Sequence, residues 1–169
     1  MVYTCKYKSP LGNILLAADE IGLTGLWFEG QKYFANTLPD EHIPQETGIL
    51  TEAKKWLDVY FSGEEPNFIP PLHPNGSAFR QAVWQILSQI PYGETVSYGE
   101  IARKMAEMEN TSRMSAQAVG GAVGHNEISI IIPCHRVVGA NGSLTGYAGG
   151  IDKKIALLEL EHADMSRLF

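Results

Sequence analysis

The sequence predicts a small α/β N-terminal domain, with a short antiparallel sheet plus one helix, followed by a mainly helical C-terminal domain that carries a helix-turn-helix. Three observations predict it. Short apolar runs parted by turn residues fill the start of the chain, helical apolar spacing dominates after Gly76, and a proline-rich polar stretch separates the two.

The elements follow in order. Val2 to Tyr7, Asn13 to Ala18 and Leu23 to Phe28 read as strands, parted by Pro10-Leu11-Gly12 and by Asp19-Glu20-Ile21-Gly22. Ile49, Leu50, Ala53, Trp56, Leu57, Tyr60 and Phe61 fall at helical spacing, and Gly63 can end that helix. From Glu64-Glu65-Pro66 through Pro70-Pro71 to His73-Pro74-Asn75-Gly76 the chain reads as a linker, which predicts domains at 1–70 and 71–169. Ser77 can cap a helix with an apolar stripe of Phe79, Ala82, Val83, Ile86, Leu87 and Ile90, stopped by Pro91-Tyr92-Gly93. Ser97-Tyr98-Gly99-Glu100 has the spacing of a capping box, predicting a helix to about Ala106. After the polar turn Glu109-Asn110-Thr111-Ser112, residues Ala116, Val119, Ala122 and Val123 predict another, and the pair reads as a helix-turn-helix. This last helix is nearly bare, with Ala118, Gly120, Gly121, Ala122 and Gly124. Each interior Gly costs roughly 1 kcal/mol against Ala, so close approach to a groove or to neighbouring backbone is expected to compensate. A final helix is predicted over 152–162.

Composition limits the function classes. The 169 residues are 44% hydrophobic and 19% charged, as in globular proteins. No apolar run approaches the ~20 residues needed to span a bilayer, and residues 1–8 do not resemble a signal peptide, so no membrane partner and a cytoplasmic location are expected. The two cysteines, Cys5 and Cys134, are expected to stay reduced. The five histidines are scattered, so no metal site is expected. Net charge is −6, but residues 1–79 hold 5 Lys and Arg against 10 Asp and Glu, whereas residues 80–169 hold 8 against 9. The acidity therefore sits in the first half, and the second, being only near-neutral, predicts no strong nonspecific affinity for DNA.

The chemistry concentrates at Ile131-Ile132-Pro133-Cys134-His135-Arg136-Val137-Val138, where a run that reads as a buried strand delivers a cysteine with a histidine beside it. A thiol is the side chain closest to being a nucleophile at neutral pH, and a nearby base or cation activates it. A buried cysteine is often only packing. Neighbours on an extended chain point opposite ways, so adjacency alone does not bring His135 to Cys134.

The stretch from Ala118-Val119-Gly120-Gly121-Ala122-Val123-Gly124-His125-Asn126, through Pro133-Cys134-His135-Arg136-Val137, to Thr145-Gly146-Tyr147-Ala148-Gly149-Gly150 resembles the active-site region of the O6-alkylguanine-DNA alkyltransferases, also called methylated-DNA–protein-cysteine methyltransferases. The similarity runs from about Phe79 to Glu161, with a weaker match at Ser9-Pro10-Leu11-Gly12. It implies a monomer that binds double-stranded DNA containing O6-alkylguanine and transfers the alkyl group once to Cys134, with O4-alkylthymine a possible further substrate and no cofactor. It implies a relay in which Cys134, a bridging water, His135 and Glu161 act in line, with Asn126 tethering the recognition helix to the Cys134 segment. The base would lie against Tyr98, Val137, Tyr147, Ala148 and Gly149, and the DNA against Ser97, Tyr98, Ala116, Gln117, Gly120 and Gly121. Base extrusion is required, because O6 cannot be reached in line while the base is stacked. Some relatives carry a structural zinc, whose Cys/His set is missing here. Two positions depart from the pattern: Gln117 stands where many members have an intercalating arginine, and Glu127 where a proline commonly follows the asparagine. Two other readings compete. Alkyltransferase-like proteins only flag lesions and lack the cysteine, while a Cys-His-Glu hydrolase would leave the helix-turn-helix without a role.

Overall fold

The structure is a computed structural model and describes residues 1–112 and 114–169. The chain divides into two compact units, Met1–Asn75 with Glu127–Ile131, and Gly76–Asn126 with Ile132–Phe169.

In the first unit, β1 (Tyr3–Ser9), β2 (Gly12–Ala18) and β3 (Leu23–Phe28) form an antiparallel meander, and α1 (Gly48–Phe61) packs on it. The first turn is tight because Gly12 takes φ +123 and Ser9 Oγ bonds the Gly12 carbonyl at 2.6 Å. Alternate β2 residues Ile14 and Leu16, with Leu23, Leu26 and Phe28 of β3, are buried together with Leu50, Ala53, Leu57 and Tyr60 of α1.

The boundary expected at 70/71 moves to 75/76, because residues 71–73 pair with β3: Leu23 N–H donates to the Pro71 carbonyl at 2.7 Å and His73 N–H to the Leu23 carbonyl at 2.7 Å. The second outlier from linear order is Glu127–Ile131, which also lies along β3. Leu26 N–H donates to Glu127 O at 2.9 Å, and Ser129 N–H to Leu26 O at 3.0 Å. Glu127 is buried at 2% exposure, its carboxylate taking Trp27 Nε1–H at 2.9 Å, Asn36 Nδ2 at 3.3 Å and Thr37 Oγ1 at 3.4 Å. A proline there would lack this carboxylate and leave the indole N–H unpaired.

The second unit holds α2 (Ala78–Leu87), β4 (Val96–Ser97), α3 (Tyr98–Met108), α4 (Ala116–Gly124), β5 (Val137–Val138) and α5 (Ile151–Leu160). Three helices begin on serine caps: Ser77 accepts from Arg80 N–H, Ser97 from Glu100 N–H and Ser115 from Ala118 N–H, each worth about 1 kcal/mol. At Ser97 the box closes both ways, with Glu100 reaching back to Ser97 N–H at 3.4 Å. Helices α2, α3 and α4 pack on one another, and Trp84 Nε1 donates to the Ala122 carbonyl at 2.9 Å. Gly76 lets that indole seat, since a Cβ there would come 2.6 Å from its ring.

The expected strand leading to Cys134 does not form. Cys134–Arg136 is a single 3-10 turn, and only Val137–Val138 is extended, pairing in parallel with Val96–Ser97. Pro133 lacks the N–H a ladder needs, and Ile130 at φ +70 breaks the extended path before it.

Candidate active site

Cys134, His135, Arg136, Asn126 and Glu161 all lie in the second unit. The 3-10 turn places Cys134, His135 and Arg136 on successive sides of a tight helix rather than on opposite faces of a strand. All three are buried, at 7%, 0% and 8% exposure. The parallel pair β4–β5 ties the turn's exit to the start of α3, which carries Tyr98.

Glu161, expected inside a helix over 152–162, instead caps the C-terminus of α5, one residue past its last helical position. Its Oε2 lies 2.6 Å from His135 Nε2, and both side chains are fully buried. Burial alone would raise the Glu161 carboxyl, but hydrogen bonds and charge from His135 and Arg136 outweigh it and pull it down to about 2. An ionised carboxylate only accepts, so Nε2 carries the proton and donates. Burial pushes the His135 imidazole below its usual value; the Glu161 bond opposes this and the Arg136 and Lys154 charges assist it. The ring is therefore neutral, and Nδ1 holds a lone pair. That atom is buried and has no hydrogen-bond partner among the described residues.

Burial also raises the Cys134 thiol, against a hydrogen bond from Asn126 and the charge of Lys154. The resting sulfur is thus a thiol that needs a base, and a neutral imidazole with an open Nδ1 is one. Asn126, 5% exposed, also donates from Nδ2 to the Ile132 carbonyl at 2.7 Å, which ties the end of α4 to the residue two before Cys134.

The residues expected to flank the base gather around the loop between β5 and α5. Tyr98 is half-buried, and its hydroxyl lies 3.5 Å from the Thr145 carbonyl. Gly146, at φ +76, makes room for it: a Cβ there would sit 3.0 Å from that hydroxyl. Tyr147 is buried and Gly149 lies against its ring, where a Cβ would come within 2.8 Å. Val137 is fully buried and Ala148 partly so.

The residues expected to meet DNA separate into two sets. Ala116, Gln117 and Gly121 are exposed on α4, and Gly120 is partly so. Among the described residues outside the helix's own backbone, a Cβ at Gly120, Gly121 or Gly124 would meet nothing within 4 Å, so no neighbouring described backbone accounts for these glycines. Ser97, by contrast, spends its hydroxyl on capping α3, a structural use that accounts for it without DNA.

Two functional neighbours escaped the sequence reading. Lys154 has no exposed surface, and its Nζ donates to the Val137 carbonyl at 2.6 Å and the Thr145 carbonyl at 2.9 Å. It therefore ties the strand after Cys134 to the loop carrying Tyr147. Burial pushes its pKa down to about 8, against the pull of Cys134. The signal was its place on the apolar stripe with Leu157, Leu158 and Glu161 at helical spacing. Arg136 is the other, bonding Glu161 through Nε at 2.8 Å and Nη2 at 3.1 Å. A cation inside an apolar run was the signal there.

Among the described residues no group of His, Cys, Asp and Glu could hold a metal ion, and no helix is long and apolar enough to cross a membrane.

Comparison with known proteins gives concordant matches along the chain. Residues 78–163 match the family model for the 6-O-methylguanine DNA methyltransferase DNA binding domain, and residues 1–74 that for its ribonuclease-like domain. A methylated-DNA–protein-cysteine methyltransferase of Methanosarcina acetivorans is 45% identical over 161 residues, covering 95% of this chain and 98% of the relative. One from Haemophilus influenzae is 42% identical, covering 95% and 86%. The crystal structure of Mycobacterium tuberculosis OGT in complex with DNA superposes with a TM-score of 0.82 at 43% identity, covering 98% of this chain and 94% of that one.

Proposed function

This chain belongs to the 6-O-methylguanine DNA methyltransferase family, and from that membership we propose how it repairs alkylated DNA. It is a methylated-DNA–protein-cysteine methyltransferase in activity, moving an alkyl group from guanine O6 to a cysteine. The acceptor is Cys134. The observation that carries this assignment is the buried His135–Glu161 pair beside it, bonded through Nε2 and with Nδ1 unpartnered among the described residues.

The thiol proton passes to His135 Nδ1 through a water, and Sγ attacks the alkyl carbon. The S–C bond forms as the C–O6 bond breaks, and the electron pair leaves with guanine, which takes up a proton. Tyr98, held at the start of α3 beside the Gly146 turn, is the group positioned to supply it. Glu161 stays ionised and fixes the ring, as the buried carboxylate does in hydrolase triads. Tyr147, Ala148, Gly149 and Val137 flank the base. A thioether is not cleaved by water, so each molecule acts once. O4-alkylthymine is a second substrate on the same chemistry. Both thiols are free, and Cys134 must stay reduced to act, which supports a cytoplasmic location. The protein works as a monomer. Intact mass before and after incubation with an oligonucleotide containing O6-methylguanine tests the assignment: one methyl gained, mapped to Cys134, is the expected result.

Helix α4 approaches the duplex with its bare face, led by Ala116 and Gln117. The open space around Gly120 and Gly121 supports this, because no contact with the described residues of the unit requires those glycines. Gly121→Ala is expected to stabilise the fold by roughly 1 kcal/mol, since Ala is the better helix former, and yet to weaken duplex binding by crowding the groove. Denaturant melts paired with a duplex titration check this. Stabilisation with unchanged binding would remove α4 from the interface.

Gln117→Arg restores the charge that many relatives carry at this exposed position. Duplex affinity is expected to rise, with the salt slope steeper by about one phosphate contact, and lesions inside duplexes to be repaired faster. Reaction with free O6-benzylguanine, which needs no extrusion, should hardly change. An equal effect on the free base would mean that Gln117 does not face the extruded nucleotide.

A further inference from the structure

Arg136 stands inside the Pro-Cys-His-Arg-Val run but takes no part in the transfer steps above. It is 8% exposed, which excludes it as a simple phosphate contact. Its guanidinium is held by three partners. Nε and Nη2 form a fork on Glu161 at 2.8 and 3.1 Å, Nη1 donates to the Ile90 carbonyl at 2.7 Å, and the carbon at its centre lies 5.7 Å from the centroid of the Tyr92 ring. The Glu161 carboxylate in turn receives Arg136 Nε and Gly93 N–H on Oε1, the latter at 3.3 Å, and His135 Nε2 and Arg136 Nη2 on Oε2. Gly93 at φ +78 permits this, since a Cβ there would come 2.9 Å from the Glu161 carbonyl.

A buried ion pair is a weak source of stability, because its desolvation costs about what its attraction returns. A role in setting charge is the better account. A lone carboxylate within hydrogen-bond distance of an imidazole favours imidazolium, typically by about 1–3 pKa units. An imidazolium has no lone pair and cannot accept a thiol proton. Here the carboxylate is shared, and the pair it forms with the guanidinium is neutral overall.

Besides Glu161 and Arg136, other groups act on the ring. Lys154, reaching in from α5, adds positive charge, and Cys134 precedes the ring on its own turn. Tyr92, from the turn after α2, faces Arg136, and Tyr98 from α3 feels the charge of Cys134.

We propose that Arg136 is a positioning residue: by gripping Glu161 in a fork and offsetting its charge, it keeps His135 neutral, with Nδ1 free to take the proton of Cys134. This inference rests on the alkyl-transfer reading above and deepens it.

The test is single-turnover benzyl transfer from free O6-benzylguanine, followed by intact mass across the range around the ordinary histidine pKa of about 6.5, for the parent, Arg136→Lys and Arg136→Gln. The parent rate is expected to fall only on the acid side of that value. In Arg136→Gln the acid limb should move up by about one pH unit or more, so that the rate just below neutrality drops about tenfold against its own plateau. Arg136→Lys keeps the charge and should keep the limb near the parent's, with a lower plateau because a lysine cannot form the fork. A purely structural role would lower the melting temperature and leave the normalised profiles superimposed, which would overturn the proposal. So would an equal shift in both variants. If Arg136→Gln does not fold, the imidazole resonances of the parent decide: a neutral Nε2–H ring at neutral pH supports the proposal, and a protonated ring ends it. Absence of any benzyl transfer to Cys134 in the parent would instead overturn the underlying reading, so the two failures are distinguishable.

Discussion

Replacing Cys134 by alanine is expected to abolish alkyl transfer altogether, with lesion binding by α4 retained. The change removes one sulfur from a site 7% exposed and leaves Asn126, His135 and Glu161 with their own contacts. Cys5 cannot substitute for it. That thiol lies in the first unit and is pushed up to about 11 by burial, which the Lys54 charge opposes and the Glu46 charge assists. Peptide mapping after exposure to O6-methylguanine DNA should show methyl on Cys134 in the parent and on neither position in the variant. Methyl on Cys5, or more than one alkyl group transferred per molecule, would end the single-use mechanism.

The second largest effect belongs to His135→Ala. The imidazole is the only proton acceptor assigned to a thiol that burial has made harder to ionise, so its loss should slow transfer by about 10²–10⁴-fold, the usual contribution of a positioned base. Raising the pH should restore part of the rate, because hydroxide can then do what the ring did. Lesion affinity should change little, since the ring has no exposed surface. Quenched single-turnover assays at several pH values check both points. A variant reacting at the parent rate would remove His135 from the relay.

Much of this was legible in the residues. The serine caps at 77 and 97 announced their helices, because capping is local chemistry and needs no tertiary partner. The three N-terminal strands were legible for the same reason, alternation and turn residues being short-range signals. The turn at Cys134 was not, since a short apolar run buried on all sides has no periodicity to separate a strand from a 3-10 turn. Lys154 and Arg136 were missed because their partners, the Val137, Thr145 and Ile90 carbonyls and Glu161, are brought to them only by folding. The domain boundary moved for a similar reason: the bonds that draw residues 71–73 to Leu23 leave no trace in local composition.

The Glu127–Ile131 segment has a consequence for biosynthesis. Its pairing with Leu26 spans about a hundred residues, one of the costlier closures in the chain. As the chain emerges from the ribosome, β1, β2, β3 and α1 can assemble early, yet the Leu26 amide and carbonyl stay without these partners until Glu127 and Ser129 have been made. During that interval the nascent protein presents a bare sheet edge of the kind that recruits other strands. The first unit therefore begins early but finishes late, and its vulnerable period in the cell is the time taken to translate α2, α3 and α4.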